Sequence, residues 1–144
     1  MIVIADTSGL VAAFNKVERE HVETKRSMHR AALVVASPLV LHEIEHIITR
    51  NMNRSAAHGI NDWILAQERT GRFLVPGIGS GLIRKARRIQ NHYMSLCLDL
   101  ADALNVVLAA EFETNTVLTL DRRDFRAIRP LTGAKAFRLL PDDR

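Results

Sequence analysis

Two short apolar runs end in the same way, Ile2-Val-Ile-Ala-Asp6 and Val117-Leu-Thr-Leu-Asp121. If both runs are parallel strands, their carboxyl ends border the crevice where open α/β sheets bind ligands. Two carboxylates in one such pocket repel each other, and burying both is costly unless a cation neutralises them. Each aspartate alone could simply cap the turn or helix that follows it. The repeated placement favours a shared site.

Two further acids are candidates for it. In the segment starting Ser37-Pro38, a wheel of about 100° per residue puts Leu39, Val40, Leu41, Ile44, Ile47 and Ile48 on one broad face. Glu43 lies at the margin of that face, where it could reach a crevice or pair with Arg50, and Glu45 points further round toward solvent. Asp99 and Asp102 stand three apart at another helix start. Asp99 is accounted for as the cap. Asp102 enters the nearly apolar Ala101-Asp102-Ala103-Leu104 stretch and needs a partner there, which makes it the better site candidate.

Asp6, Glu43, Asp102 and Asp121, with no set of soft ligands, suit a hard divalent cation, Mg²⁺ or Mn²⁺. Such a cation activates water and stabilises the oxygens of a phosphoryl displacement. Setting these four acids aside leaves 20 basic residues against 12 acidic ones. An acidic metal pocket in a basic surface suits a nuclease, with arginines on neighbouring phosphates. Arg84, Arg87 and Arg88 in one cluster and Arg122 and Arg123 in another are candidate backbone contacts; for the first cluster a solvated helix face is an equal alternative. The 16 arginines against 4 lysines point the same way, although GC-rich codons would produce that bias too.

The elements that must carry these residues alternate. Strands are expected at Ile2 to Ala5, Leu33 to Ala36, Arg72 to Val75, Thr116 to Leu120 and near Ala136 to Leu139. Helices are expected from the Ser8 cap to Phe14, then over Glu18 to Arg30, Pro38 to about Met52, and Ala56 to Arg69. Two more follow, a basic one from the Ser80 cap to about Tyr93 and an apolar one over Leu100 to Phe112. Short apolar strands separated by helices imply one α/β domain with a mainly parallel sheet flanked on both faces. The chain has 144 residues, a formal charge of +4 and a hydrophobic fraction of 47%, which excludes a disordered tail or low-complexity scaffold. The lone Cys97 cannot form an internal disulfide or a thiolate zinc site. With no signal-peptide pattern and no span of roughly 20 apolar residues, a soluble cytoplasmic protein without membrane contact is expected.

Four motifs lie in order along the chain: Ile4-Ala-Asp6-Thr-Ser8, Ser37-Pro-Leu-Val-Leu-His-Glu43, Leu100-Ala-Asp102-Ala103 and Leu118-Thr-Leu-Asp121-Arg-Arg-Asp124-Phe125. In this order and spacing the chain resembles the PIN-domain family, and within it the VapC-type toxin ribonucleases of bacterial toxin–antitoxin pairs. The resemblance implies a single PIN-like ribonuclease domain over residues 1–144 and the four-acid metal set named above. It implies that Asp124 can contribute to that set and that the Ser8 hydroxyl can orient Asp6. It also implies an RNA substrate, a homodimer and inhibition by a cognate VapB-type antitoxin.

A competing motif is His42-Glu43-Ile44-Glu45-His46, a literal H-E-x-x-H on an expected helix, the zinc-protease pattern. Its histidines fall on the polar face of the wheel, and a zinc hydrolase leaves the strand-end aspartates without a role. Pro76-Gly-Ile-Gly-Ser-Gly81 is glycine-rich before a helix but lacks the lysine of a phosphate-binding P-loop. A non-catalytic nucleic-acid module would account for the basic charge but has no reason to gather carboxylates against phosphate.

Overall fold

Parallel strands covered on both faces need near-continuous apolar runs rather than alternation. The computed structural model, which describes residues 1–143, shows why these runs qualify. Five strands, β1 (Ile2–Ala5), β2 (Leu33–Ala36), β3 (Phe73–Leu74), β4 (Thr116–Leu118) and β5 (Arg138–Leu140), form one sheet. Its order is β3-β2-β1-β4-β5, and every pairing is parallel.

Alternate residues of each strand enter different cores. Val3, Ala5, Val34 and Ala36 pack with Leu10, Met28, Ile44 and Ile64, which belong to α1 (Thr7–Phe14), α2 (His21–Arg30), α3 (Pro38–Asn51) and α4 (Arg54–Gln67). Ile4, Val35, Val117 and Leu139 pack on the other face with Ile89, Leu104, Val107 and Phe125. Those come from α5 (Ser80–His92), α6 (Leu100–Glu111) and α7 (Arg122–Ala127). After β1 the chain winds outward through β2 and β3, then returns to add β4 and β5 on the opposite side. The winding therefore reverses between β1 and β4, and the crevice at that reversal is where open α/β sheets take ligands.

Several starts differ from the expected ones for local reasons. Helix α1 begins at Thr7 with Asp6 in the capping position, so Ser8 lies inside the helix and its hydroxyl is free for other partners. Asn53, not Ser55, caps α4 by accepting from the Ala56 backbone N–H at 2.7 Å. Gly79 occupies the capping position of α5, with Ser80 already helical. Strand β4 ends at Leu118, although the Thr119 backbone N–H still donates to the Leu140 carbonyl of β5 at 3.0 Å, and α7, not anticipated from the sequence, begins after Asp121. Ser37 does cap α3, accepting from Leu39 at 3.1 Å. Gly9 permits the approach of α1 to β4: a Cβ there would lie 2.3 Å from the Leu118 carbonyl oxygen.

Candidate active site

At the reversal, Asp6 is only 4% exposed. It occupies the capping position of α1 yet makes no side-chain capping bond. Its oxygens go elsewhere. Thr119 Oγ1 donates to Oδ2 at 2.8 Å, and Asn105 Nδ2 lies 3.4 Å from Oδ1. Ser8 Oγ lies 3.3 Å from Oδ2 and accepts from the Leu120 backbone N–H at 2.9 Å. Thr119 Oγ1 also accepts from the Asp121 N–H at 2.9 Å. A short hydroxyl network therefore ties the end of β1 to the turn after β4 and sets the spacing of Asp6 and Asp121.

The remaining acids come in on helices. Glu43, on α3, accepts from Thr7 Oγ1 at 2.7 Å. Arg50 is not its partner; that guanidinium lies 2.9 Å from His46 Nε2 instead. Asp99 caps α6, accepting from the Asp102 N–H at 2.9 Å, which leaves the Asp102 carboxyl unspent. Asp6, Glu43, Asp99, Asp102 and Asp121 line one open cleft of about 270 Å³. Asp121 doubles as the cap of α7, with the Asp124 N–H at 3.4 Å from its Oδ1.

This crowding has an electrostatic signature. Burial, and then the neighbouring Asp6 charge, pushes the Asp102 carboxyl up to about 9. Burial also raises Asp6 to about 6, against the pull of the Thr119 hydrogen bond. Asp124 is raised by its partial burial and by Asp121. Carboxyl groups whose ionisation is disfavoured by burial and by one another's charge are the complement of a bound cation. Asp102, Asp121 and Asp124 each bring one oxygen to within 4.8 Å of the other two. An all-oxygen donor set of this kind fits a hard divalent ion rather than zinc.

The histidine motif does not assemble. His42 and His46 are exposed on α3, while Glu43 turns to Thr7 and the acid cleft. A guanidinium can only donate, so its contact with His46 Nε2 occupies the lone pair that zinc would need. Among the described residues, no histidine belongs to a converging set of ligand atoms. The arginine candidates divide. Arg84, Arg87 and Arg88 are exposed on α5, and Arg123 is exposed on α7. Arg122 is engaged by Asp142, with Glu20 at 3.7 Å. Thr119, Asn105 and Thr7 escaped the sequence reading. Asn105, a buried amide one turn beyond Asp102 in an apolar helix, was the visible signal for this group.

A family model for the PIN domain matches residues 3–130. The chain belongs to the PIN domain family. Over 140 residues, 96% of this PIN domain chain and 100% of the relative, it is 34% identical to Ribonuclease VapC26 of Mycobacterium tuberculosis (strain ATCC 25618 / H37Rv). Two solved structures share the fold. VapC20 from Mycobacterium tuberculosis, a toxin that cleaves the sarcin-ricin loop, superposes with a TM-score of 0.72 at 19% identity, over 85% of this chain and 92% of that one. VapBC2 from Rickettsia felis, bound to a DNA fragment from its promoter, gives 0.66 at 16% identity, over 91% and 96% of the two chains. The acid cleft and the helices that carry it lie within the matched segment, as do the central strands apart from Ile2. No helix among the described residues is long and apolar enough to cross a membrane.

Proposed function

We propose that this PIN domain is a divalent-metal-dependent endoribonuclease, the toxin of a VapBC-type pair. The observation that carries the reading is the convergence of Asp6, Glu43, Asp102 and Asp121 in one cleft at the winding reversal. Asp6, Glu43, Asp102 and Asp121 would hold Mg²⁺, or Mn²⁺ in its place, and Asp124, whose oxygen lies within 4.8 Å of those of Asp102 and Asp121, would be able to join them. When bound, such an ion would supply positive charge beside the scissile phosphate and lower the pKa of a water. The protein's own part is positional. Thr119 and Asn105 fix the Asp6 carboxylate, Thr7 aims Glu43, and Asp99 holds the backbone of Asp102 so that its carboxyl faces the cleft. Asp102 must give up its proton before it can act as a ligand, so affinity for the ion should rise with pH.

Kinship with Ribonuclease VapC26 supports RNA as the substrate and, with the family resemblance, a homodimer restrained by a cognate VapB-type antitoxin in the cytoplasm. We take residues 1–144 as one catalytic unit. Incubation of total RNA with Mg²⁺, Mn²⁺ or EDTA, followed by mapping of the cut ends, tests the reading. Cleavage with either ion, silence in EDTA, and 5′-phosphate with 3′-hydroxyl ends are expected. Full activity in the chelator, or 2′,3′-cyclic phosphate ends, would refute it.

A further inference from the structure

The acid cleft is not isolated on the surface. Glu43 and Ile47, which line it, also line a neighbouring cavity shared with His42 and His46. His42 and His46 in turn line a third cavity of about 470 Å³, where Glu45, Arg50, Arg54 and His58 join them. The three cavities therefore share wall residues in series along α3. The series runs from the acid cleft along α3 to a cavity lined by side chains of both α3 and α4. Along it the charge changes sign, from aspartates and Glu43 to arginines and imidazoles.

The basic end has charge to spare. Its single acid, Glu45, is engaged by His58 Nε2 at 2.6 Å. Arg50 contacts only the His46 ring, and the Arg54 side chain makes no ion pair or hydrogen bond among the described residues. By contrast Arg122 and Arg126 are neutralised by Asp142 and Asp143. Two guanidinium groups without an acidic partner on the wall of one cavity suit phosphate oxygens. From Glu43 to Arg50 is seven residues of helix, about 10 Å at the α-helical rise, a distance that neighbouring phosphates on one strand can cover.

We propose that the cavity between α3 and α4 is a phosphate subsite, in which Arg50 and Arg54 hold the single-stranded RNA backbone flanking the scissile bond. The subsite rests on the nuclease reading for the course of the strand. It assigns the H-E-x-x-H segment a place in the protein: Glu43 serves the cleft, and the two histidines form the wall between cleft and subsite.

The test measures binding of a single-stranded RNA in EDTA across a salt series, so that affinity is read without cleavage, and KM and kcat separately with Mg²⁺. Arg50→Ala with Arg54→Ala should reduce the salt slope by about 1.4, at about 0.7 per lost phosphate contact on a single strand. KM should rise at least several-fold with kcat little changed, and Arg50→Lys with Arg54→Lys should recover most of the slope. Circular dichroism and sedimentation check that the variants are folded and unchanged in mass. Wild-type protein that cuts RNA, with slope and KM unaltered in the double alanine variant, overturns the subsite alone. An altered mass with an unaltered slope also overturns it and assigns the face to a protein partner. Wild-type protein that neither binds nor cuts RNA overturns the nuclease reading and the subsite together.

Discussion

Asp99 and Asp102 are three residues apart on the same helix start, yet their environments give them opposite tasks. Asp99 is exposed and spends its carboxylate on a backbone N–H, a role asparagine fills about as well. Asp102 is raised to about 9 by burial and then by the charges of Asp6, Asp99, Asp121 and Glu43. Asp99→Asn should therefore retain near-normal RNA cleavage, whereas Asp102→Asn should lose at least a hundredfold in a Mg²⁺ assay. The same residue sets a pH dependence of stability. Between the ordinary value of 3.8 and about 9, the folded metal-free protein keeps the Asp102 proton that the unfolded chain has released. Stability thus falls as pH rises through that window. Asparagine has no proton to lose. Asp102→Asn should melt above the wild type in EDTA at about pH 8, with the difference closing toward about pH 4. Equal melting temperatures at the higher pH would count against the crowded, uncompensated carboxyl.

At the scale of elements, the site depends on how closely α1 approaches the end of β4. The Asp6 backbone N–H donates to the Leu118 carbonyl at 2.9 Å, and Gly9 lies against that same carbonyl. One methyl group at position 9 would overlap backbone, which cannot move aside as a flexible side chain can. Gly9→Ala should cost about 1–3 kcal/mol in urea unfolding, the range for overpacked positions. It should also depress cleavage beyond the loss of folded protein, because the displaced strand end carries Thr119 and Asp121. Wild-type stability in Gly9→Ala would mean that α1 can slide along the sheet without consequence. Other helices are indifferent to such detail. Capping at Asn53 rather than Ser55 shifts the start of α4 slightly and leaves its buried residues, Ala57 and Ile64, in place.

For the molecule as a whole, the formal charge of +4 is assembled from a cluster of acids and a larger excess of bases elsewhere. Long-range attraction for RNA and local repulsion among carboxylates therefore coexist, and they respond differently to solution conditions. Salt screens the exposed arginines strongly, over a Debye length of about 8 Å at physiological ionic strength. It acts much less on the buried acids. Raising salt should weaken RNA binding steeply while leaving Mg²⁺-dependent thermal stabilisation largely intact, as read by anisotropy and by melting with and without the ion. Parallel loss of both would mean that the ion sits on the surface and not in the cleft.

Sequence alone determined the layered α/β architecture, because apolar runs and helical periodicity are local consequences of which residues are buried. It also singled out Asp6, Glu43, Asp102 and Asp121, since an acid closing an apolar run, or entering an apolar helix, is visible without a partner. It could not show that Asp6 forgoes capping for Thr119 and Asn105, residues 113 and 99 positions away. Nor could it show that Glu43 turns to Thr7 rather than Arg50, or that α3 joins an acidic cleft to a basic cavity. Hydrogen bonds between residues distant in sequence, and the sharing of cavity walls, arise only when strands are placed side by side. That placement is decided by the tertiary packing of two cores on one sheet.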